Sequence, residues 1–124
     1  MIRAVLVTHG RLGEELLRIA QSLVGALEGI DAVSNEGLSL DDLLARIEEK
    51  LVVHEGEVCL FTDLFGGSCR FASEAVRRRR GRCEVFSGLN LPMLLDFVHN
   101  RERLPFDELT LRLVEKGREG IRRL

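Results

Sequence analysis

The sequence predicts an α/β fold: a doubly wound, mostly parallel sheet of four strands with helices on both faces. Short apolar runs such as residues 4–7 and 58–61 lack the alternation of a half-exposed strand, which is typical of strands buried on both faces. Between such runs lie segments whose apolar residues recur every three or four positions, as on one face of a helix. Strands that alternate with helices pair in parallel through right-handed crossovers, so this alternation predicts the doubly wound arrangement.

The first half of the chain is predicted to form two strands and two helices. The opening strand runs from Ala4 to His9, and a short second strand runs from Ile30 to Val33. The buried face of the first helix is expected to carry Leu12, Leu16, Ala20, Leu23 and Leu27. Ser39 begins the second helix, with Asp42 as its capping partner. The buried face of that helix is expected to carry Leu40, Leu43, Leu44, Ile47 and Leu51.

The second half is predicted to add two strands and three helices. The strands run from Val58 to Thr62 and from Cys83 to Phe86, and a helix from about Ser68 to Arg79 lies between them. A fourth helix runs from Leu91 to Val98, and it tolerates proline only in its first turn, where Pro92 stands.

The last helix is followed directly by glycines. It begins after Pro105, continues through Lys116 and is expected to be closed by Gly117 and Gly120. No repeat or low-complexity linker interrupts the chain, so residues 1–124 are predicted to form a single domain.

The composition is that of a soluble globular protein, and it excludes several classes of partner. Hydrophobic residues make up 45% and charged residues 31%, with 18 basic side chains against 20 acidic ones. This balance argues against nucleic acid or an anionic membrane surface as a partner. We expect neither a secretion leader nor membrane insertion, because no apolar run approaches the roughly 20 residues that span a bilayer. The three cysteines lack a paired metal spacing and fit free thiols in a reducing, cytoplasmic compartment.

Polar residues follow three of the predicted strands, at the edge where the carboxyl ends of the strands meet. They are His9 with Gly10, the segment 63–68, and the segment 87–90. Ligands and chemistry collect outside the carboxyl ends of parallel strands. A histidine can act near neutral pH as nucleophile, base or acid. If Asp63 reaches one ring nitrogen of His9, it can fix the tautomer and leave the other nitrogen free to attack.

Each of these residues also has a structural interpretation, and the prediction depends on their convergence. A lone histidine at a strand–helix corner is more often structural, and Asp63 could serve as a helix cap or turn residue. Gly66 and Gly67 would let backbone amides face a phosphoryl group near a helix N-terminus, although any tight turn favours glycine. Ser68 could cap that helix or donate its hydroxyl to an anion. Together these parts predict a site that carries a phosphoryl group on His9.

Other conspicuous residues are interpreted as structural. The arginines at 77–80, with Arg82, fall at a helix C-terminus, where cations meet the helix dipole and solvent. His54 and His99 are expected to be solvated. Cys69 has no adjacent basic partner that would favour a reactive thiolate. No metal-binding cluster is evident in the sequence.

Three segments resemble one known family. They are Val7-Thr8-His9-Gly10, the run Thr62-Asp63-Leu64-Phe65-Gly66-Gly67-Ser68, and Ser87-Gly88-Leu89-Asn90-Leu91-Pro92-Met93-Leu94. Their order and separations resemble those of the mannose-type (mannose/fructose/sorbose) IIA domains of the bacterial phosphoenolpyruvate-dependent sugar phosphotransferase system. The resemblance extends from residue 2 to the Gly117-Arg118-Glu119-Gly120-Ile121 stretch, which is essentially the whole chain.

The resemblance implies a cytoplasmic phosphocarrier. A phosphorylated HPr-type protein would donate to His9, and His9 would pass the phosphoryl group to a separate IIB partner in sugar uptake or its regulation. His9 corresponds to the phosphorylated histidine of the family, and Asp63 to the aspartate that hydrogen-bonds it. The positions expected to bind the phosphoryl group or line the site are Gly10, Phe65, Gly66, Gly67, Ser68 and Asn90.

The resemblance also implies a homodimer, and the chain differs from the family at one position of the site. Members of the family have a mostly parallel sheet with one antiparallel edge strand, and they form homodimers, in some cases by exchanging the C-terminal strand. Here that strand would lie within about Gly120 to Leu124. Members often carry proline after the Gly-Gly-Ser motif, where this chain has Cys69. The chain is expected to lack a fused IIB domain, so the next carrier would be a separate protein.

Transfer between two phosphohistidines should be nearly thermoneutral, so we expect neither a metal nor another cofactor. Several alternatives remain open at this point. His9, Asp63 and Ser68 could form a hydrolase-like triad, but Ser68 lacks the Gly-x-Ser-x-Gly elbow. A receiver-like domain phosphorylated on Asp63 would need further carboxylates for magnesium near the first strand. A nucleotide- or flavin-binding module would be expected to show Gly-x-Gly-x-x-Gly after that strand. A dihydroxyacetone-kinase phosphocarrier subunit or a non-enzymatic regulatory or binding module would use the same fold.

Overall fold

The computed structural model describes all 124 residues and contains one four-stranded sheet. Its strands are β1 (Arg3–Thr8), β2 (Ile30–Ser34), β3 (Val58–Thr62) and β4 (Cys83–Phe86). Their order across the sheet is β2-β1-β3-β4, and every neighbouring pair is parallel. The chain therefore moves to one side of β1 to form β2, then crosses to the other side for β3 and β4. The predicted doubly wound sheet is confirmed.

Five helices cover the two faces of the sheet. They are α1 (Leu12–Val24), α2 (Leu40–Leu51), α3 (Ser68–Arg80), α4 (Leu91–Asn100) and α5 (Phe106–Glu119). Alternate residues of each strand point to opposite faces, so β1 sends Ala4 and Leu6 to one core and Val5 and Val7 to the other. The first core contains side chains of α1, α4 and α5, and the second contains side chains of α2 and α3. None of the five helices is both long and apolar enough to span a bilayer.

Local capping explains where two of the helices begin. The Ser39 hydroxyl accepts a hydrogen bond from the Asp42 amide at 3.1 Å, which confirms the predicted start of α2. Asn90 caps α4 in the same way, because its side-chain oxygen accepts from the Met93 amide at 2.9 Å. Pro92 stands in the first turn of α4, as predicted.

The predicted buried faces of α1 and α2 extend too far toward the ends of the helices. Leu12, Leu23 and Leu40 are 45%, 61% and 49% exposed, because each lies at an end of its helix, beyond the part that packs on the sheet. α1 ends at Val24, before Gly25, so Leu27 lies outside the helix. Leu27 nevertheless packs against the first core.

The structure corrects the predicted end of α5. Gly117 lies inside the helix and not at its end, because α4 and α5 approach closely there. A Cβ atom at Gly117 would lie only 2.7 Å from the terminal methyl of Met93, and the Gly117 carbonyl accepts a hydrogen bond from the Asn90 side chain at 2.9 Å. Residues 121–124 form no strand in this chain. The antiparallel C-terminal edge strand therefore stays a prediction.

The arginine run at the end of α3 connects this helix to its neighbours. Arg79 forms an ion pair with Glu48 of α2 at 2.8 Å. Arg80 donates to the carbonyl oxygens of Leu51, the last residue of α2, and of His54, which follows the helix. Part of the run thus ties α3 to α2, beyond the predicted contact with the helix dipole and solvent.

Candidate active site

The topology of the sheet brings the ends of β1 and β3 together. The two strands are hydrogen-bonded neighbours with Val7 opposite Thr62, so the residues that follow them, His9 and Asp63, emerge side by side. From β1 the chain first forms β2 on one side and then β3 on the other, so the strand order reverses between β1 and β3. Such switch points open a crevice outside the carboxyl ends of the strands. The predicted convergence of the His9 and Asp63 loops is therefore a direct consequence of the strand order.

Asp63 holds both the backbone and the ring of His9. Its Oδ2 accepts a hydrogen bond from the His9 amide at 3.0 Å. The ring nitrogen Nδ1 of His9 lies 3.0 and 3.1 Å from the two carboxylate oxygens. Oδ1 also accepts from the Leu64 amide at 3.0 Å. This arrangement favours the tautomer with the proton on Nδ1, which leaves the Nε2 lone pair free.

The carboxylate of Asp63 is stabilised in its ionised form. Although burial raises its pKa, hydrogen bonds from the His9 amide and ring and the charge of His9 together lower the pKa below its ordinary value. The Asp63 side chain is only 10% exposed, whereas that of His9 is 43% exposed. The largely buried carboxylate of Asp63 therefore orients the accessible imidazole of His9.

The backbone of Gly67 lies beside the free nitrogen of His9. A Cβ atom at Gly67 would be 3.6 Å from Nε2 and 3.7 Å from Cε1. Gly67 has φ 87° and ψ −176°, a conformation that is essentially limited to glycine. It is also the N-cap residue of α3, and no side chain caps that helix. The N-terminus of α3 therefore lies close to Nε2 and has no side-chain cap, and the helix dipole favours an anion there.

At the N-terminus of α1, three of the backbone amides already have partners within the chain. The Gly10 amide donates to the Asn35 side chain at 3.3 Å, and the Gly13 amide donates to the Thr8 hydroxyl at 2.7 Å. The Leu12 amide is bonded to the His9 carbonyl. Gly10 has φ +53° and turns the chain, so its role here is conformational. Asn35 was not predicted, since nothing in the sequence marks the residue after β2 as a partner of the His9 loop.

Two predicted site residues have different positions from those expected. Ser68 is the first residue of α3 and not its cap, because Gly67 occupies the N-cap position. Asn90 uses its oxygen to cap α4 and its amide nitrogen to bond the Gly117 carbonyl. The structure therefore gives Asn90 a role in joining α4 to α5 and no hydrogen bond to His9.

Three large apolar side chains that follow Asp63 along the chain are exposed, and we call them the apolar rim. They are Leu64, Phe65 and Phe71, which are 58%, 71% and 57% exposed. The guanidinium carbon of Arg70 lies 4.2 Å from the centre of the Phe65 ring. Phe65 was predicted to lie beside the site, whereas Phe71 was not. Phe71 falls on the outer face of α3, and helical periodicity alone does not distinguish such a residue from a core residue.

Cys69 places a sulfur atom beneath the His9 ring. Its Sγ atom lies 4.0 Å from Nδ1 of His9, and its side chain is fully buried. Burial and the negative charge of Asp63 raise the pKa of the Cys69 thiol to about 11, against a smaller opposing effect of a hydrogen bond with Ser68. Ligand-type atoms of His9, Asp63 and Cys69 all lie within 4.8 Å of one another. The sequence shows no metal-ligand spacing, but the fold brings these three potential ligands close together.

This geometry supports nucleophilic chemistry at Nε2 better than the alternatives. No hydrogen bond joins the Ser68 hydroxyl to His9, which a hydrolase triad would need. The residue at the end of β1 is Thr8, whose side chain is buried and bonded to the Gly13 amide. A receiver-like magnesium site would require carboxylates at that position.

Comparison with known proteins finds one family across nearly the whole chain. The family model described as "PTS system fructose IIA component", of the mannose-type IIA group, matches residues 3–114. The mannose-specific EIIAB component of Escherichia coli K12 is 34% identical over 129 residues, with 99% of this chain and 39% of that protein covered. The sorbose-specific EIIA component of Klebsiella pneumoniae is 27% identical over 110 residues, covering 88% of this chain and 82% of that protein. The chain thus spans about two fifths of the length of the mannose-specific EIIAB relative.

Two solved structures share this fold over almost their full length. The EIIA component from Streptococcus agalactiae superposes with a TM-score of 0.92 at 27% identity, covering 99% of this chain and 97% of that one. The mannose/sorbose-specific IIA subunit from Enterococcus faecalis gives a TM-score of 0.88 at 25% identity, covering 98% and 93%.

Proposed function

Because this chain belongs to the mannose-type IIA family of the phosphoenolpyruvate-dependent phosphotransferase system (PTS), we propose that it carries a phosphoryl group on His9. The donor would be a phosphorylated HPr-type protein and the acceptor a IIB component, in the cytoplasm. The observation that carries the proposal is the fixed orientation of His9: Asp63 holds Nδ1, while Nε2 stays accessible beside the uncapped N-terminus of α3.

The transfer is a displacement at phosphorus. Nε2 of His9 attacks with its lone pair, a bond between Nε2 and phosphorus forms, and the bond between phosphorus and the donor's histidine nitrogen breaks. The Nδ1 proton stays on the ring, so the imidazole becomes positively charged as the bond forms. Asp63, already ionised and hydrogen-bonded to Nδ1, offsets that charge. No proton needs to leave the site.

The phosphoryl oxygens need partners as charge spreads over them in the transition state. The first amides of α3 and the positive end of its dipole can supply these partners, since no acidic residue stands in the first turn of α3. The first turn of α1, by contrast, contains Glu14 and Glu15. We therefore assign the phosphoryl-binding role to the loop at Gly66, Gly67 and Ser68.

The apolar rim fits a site that must admit the histidine of another protein. Leu64, Phe65 and Phe71 expose large side chains in the loop and helix start that follow Asp63, and exposed apolar and aromatic groups of this kind are typical of a surface that docks protein partners. The relatives are described as mannose-specific and sorbose-specific, and this similarity favours a role in sugar uptake or its regulation. They do not favour a dihydroxyacetone-kinase subunit or a non-enzymatic binding module.

The direct test is intact-mass analysis after incubation with phosphoenolpyruvate, enzyme I and HPr. We expect one phosphoryl group per chain, labile in acid and stable in alkali, and peptide mapping should locate it at His9. An unmodified chain in the presence of demonstrably phosphorylated HPr from the same organism would contradict the proposal.

Gly67→Ala is expected to impair both the loop and the reaction. The conformation of Gly67 is strained for alanine, which should cost about 1–3 kcal/mol of stability. The new methyl group would lie 3.6 Å from Nε2, where the phosphoryl group must bind. We expect phosphoryl acceptance from phospho-HPr to slow by about tenfold or more, which corresponds to at least 1.4 kcal/mol in the barrier.

Gly25→Ala is the matched control for Gly67→Ala. Gly25 has φ 92° and ψ −170°, close to the values of Gly67, and no atom lies within 4 Å of its Cβ position. It is the C-cap residue of α1, so this variant adds similar backbone strain at the end of α1 that is distant from His9. Thermal denaturation should report a loss of stability in both variants, whereas slow acceptance should be confined to Gly67→Ala. Equal acceptance rates in the two variants would remove Gly67 from the phosphoryl-binding loop.

We also propose that the chain forms a homodimer through β4 and α5. β4 has a neighbour on one side only, and beside it lies a groove of about 360 Å³ lined in part by Val85, Phe86 and Ile121. Two apolar side chains that line this groove are accessible to a partner: Ile121 is 79% exposed and Val114 is 38% exposed. A second copy would cover both features.

Solution mass tests the proposed dimer. We expect sedimentation equilibrium to give twice the chain mass for the wild type and the chain mass for Ile121→Asp. Val53→Asp is the control, because Val53 is equally exposed but follows α2, away from β4. A monomeric wild type at micromolar concentration would rule out this assembly.

A further inference from the structure

We propose that Nδ1 of His9, the carboxylate of Asp63 and the thiolate of Cys69 bind a thiophilic divalent cation such as Zn²⁺, and that this ion blocks phosphorylation of His9. The binding stands on geometry alone. Only the consequence for phosphorylation rests on the proposed phosphocarrier function.

The three donor atoms are close to the arrangement that a small ion requires. Nδ1 lies 3.0 Å from Asp63 Oδ2 and 4.0 Å from Cys69 Sγ, and all three atoms fall within 4.8 Å of one another. Around tetrahedral zinc, with bonds of about 2.0–2.3 Å, such atoms lie roughly 3.3–3.6 Å apart. Movements of the donor atoms by about 1 Å, through side-chain rotation, would therefore complete a three-ligand site. Because the His9 side chain is 43% exposed, water can supply the fourth ligand.

The chemistry of the donors indicates which ions bind. One imidazole nitrogen, one carboxylate oxygen and one thiolate form a mixed set that suits zinc and other borderline or soft ions, and disfavours Mg²⁺ and Ca²⁺. Cys69 is fully buried and belongs to the second hydrophobic core, so the ion would be bound on the buried side of the ring. The donors come from two strand ends and a helix start, which the sheet already holds in place.

Binding must displace protons, and this sets its dependence on pH. The free Cys69 thiol keeps its proton near neutral pH, because burial and the charge of Asp63 raise its pKa to about 11. The ion replaces that proton, which passes to solvent, while Asp63 is already ionised. Because the ion takes the place of this proton, its affinity should rise with increasing pH.

The bound ion would also change the tautomer of His9. In the free protein Asp63 favours the proton on Nδ1, and the Nε2 lone pair is free. An ion on Nδ1 uses the lone pair of that nitrogen, so the ring proton must move to Nε2. Protonated Nε2 has no lone pair with which to attack phosphorus, and Asp63 would bind the ion in place of the ring. Binding of the ion and formation of phosphohistidine would therefore exclude each other.

Cobalt(II) provides a test that does not depend on phosphoryl transfer. We expect the wild type to bind one Co²⁺ with a thiolate-to-cobalt charge-transfer band in the near ultraviolet, and Cys69→Ala to lack that band. Cys83→Ala is the matched control, since Cys83 is also buried but lies in β4. Circular dichroism should show that all three proteins are folded. No band in the wild type, or an equal band in Cys69→Ala, would overturn the metal site.

A second experiment tests the inhibitory effect. Purified phospho-HPr, freed from enzyme I, is mixed with the protein with and without saturating Zn²⁺, and the phosphorylated fraction is followed by intact mass. We expect Zn²⁺ to slow acceptance at least tenfold in the wild type and to leave Cys69→Ala unaffected, which also controls for any effect of Zn²⁺ on the donor. Equal inhibition of both proteins, or of neither, would overturn the competition. Failure of acceptance without Zn²⁺ would contradict the phosphocarrier function, and the cobalt band would still decide the metal site.

Discussion

His9→Ala is expected to abolish phosphoryl acceptance from phospho-HPr while the domain stays folded. The variant removes Nε2, the nucleophile in the proposed transfer, and neither His54 nor His99 follows the carboxyl end of a strand, where it could replace it. The Asp63 carboxylate would not be left without partners, because the backbone amides of residue 9 and Leu64 still donate to it. We expect a loss of stability on the order of 1 kcal/mol, since the lost hydrogen bond is partly exposed.

Intact-mass analysis and thermal denaturation measure the two parts of this prediction. His99→Ala is a suitable control, because His99 is exposed in α4 and contacts Arg103, far along the chain from the site. We expect His99→Ala to accept one phosphoryl group as the wild type does. Full acceptance by His9→Ala would show that another residue carries the group.

The position of the site could be predicted because it depends on topology and not on detailed contacts. Apolar runs bounded by polar residues mark the parallel strands, and parallel strands place their carboxyl ends at one edge. His9 and Asp63 each follow such a run, so their proximity required only that β1 and β3 be neighbours. The strand order β2-β1-β3-β4 makes them so.

Contacts between residues on different elements could not be read in the same way. Asn35 bonds the Gly10 amide, and Asn90 joins α4 to α5, although the motif containing Asn90 suggested a position in the site. Gly117 was interpreted as a helix end, yet it allows close packing against Met93 inside α5. A glycine in sequence does not reveal whether it ends a helix or makes room for a neighbour. Only the relative positions of the packed helices decide this.

The reactive histidine and the proposed inhibitory site share one structural cause. Asp63 and the start of α3 are positioned by the same loop, residues 63–68, which brings the helix N-terminus to Nε2 and the Cys69 sulfur to Nδ1. In the two proposals, Nε2 therefore carries the phosphoryl group and Nδ1 holds either a proton or a cation. The occupant of Nδ1 determines whether Nε2 has a lone pair, so Asp63 is the residue through which both proposals can be tested.

Asp63→Ala is expected to slow phosphoryl acceptance by about 10²- to 10⁴-fold without abolishing it. The variant keeps Nε2, but it removes the group that fixes the Nδ1–H tautomer and offsets the positive charge that develops on the ring. Asp41→Ala, which removes an exposed carboxylate in the first turn of α2, should leave the rate unchanged. Rapid-quench measurement with phospho-HPr gives the rates, and ¹⁵N chemical shifts of the His9 ring give the tautomers.

The two measurements together distinguish a positioning residue from one that merely supports the fold. If Asp63 orients His9, the wild type should show one dominant tautomer protonated on Nδ1, and Asp63→Ala should show a mixture together with the slower transfer. Asp63→Asn should be at least as impaired, because each carboxylate oxygen accepts from a backbone amide and an amide NH₂ group in either position would face a donor. A wild-type rate in Asp63→Ala would show that the close contact between Asp63 and His9 has no part in the transfer.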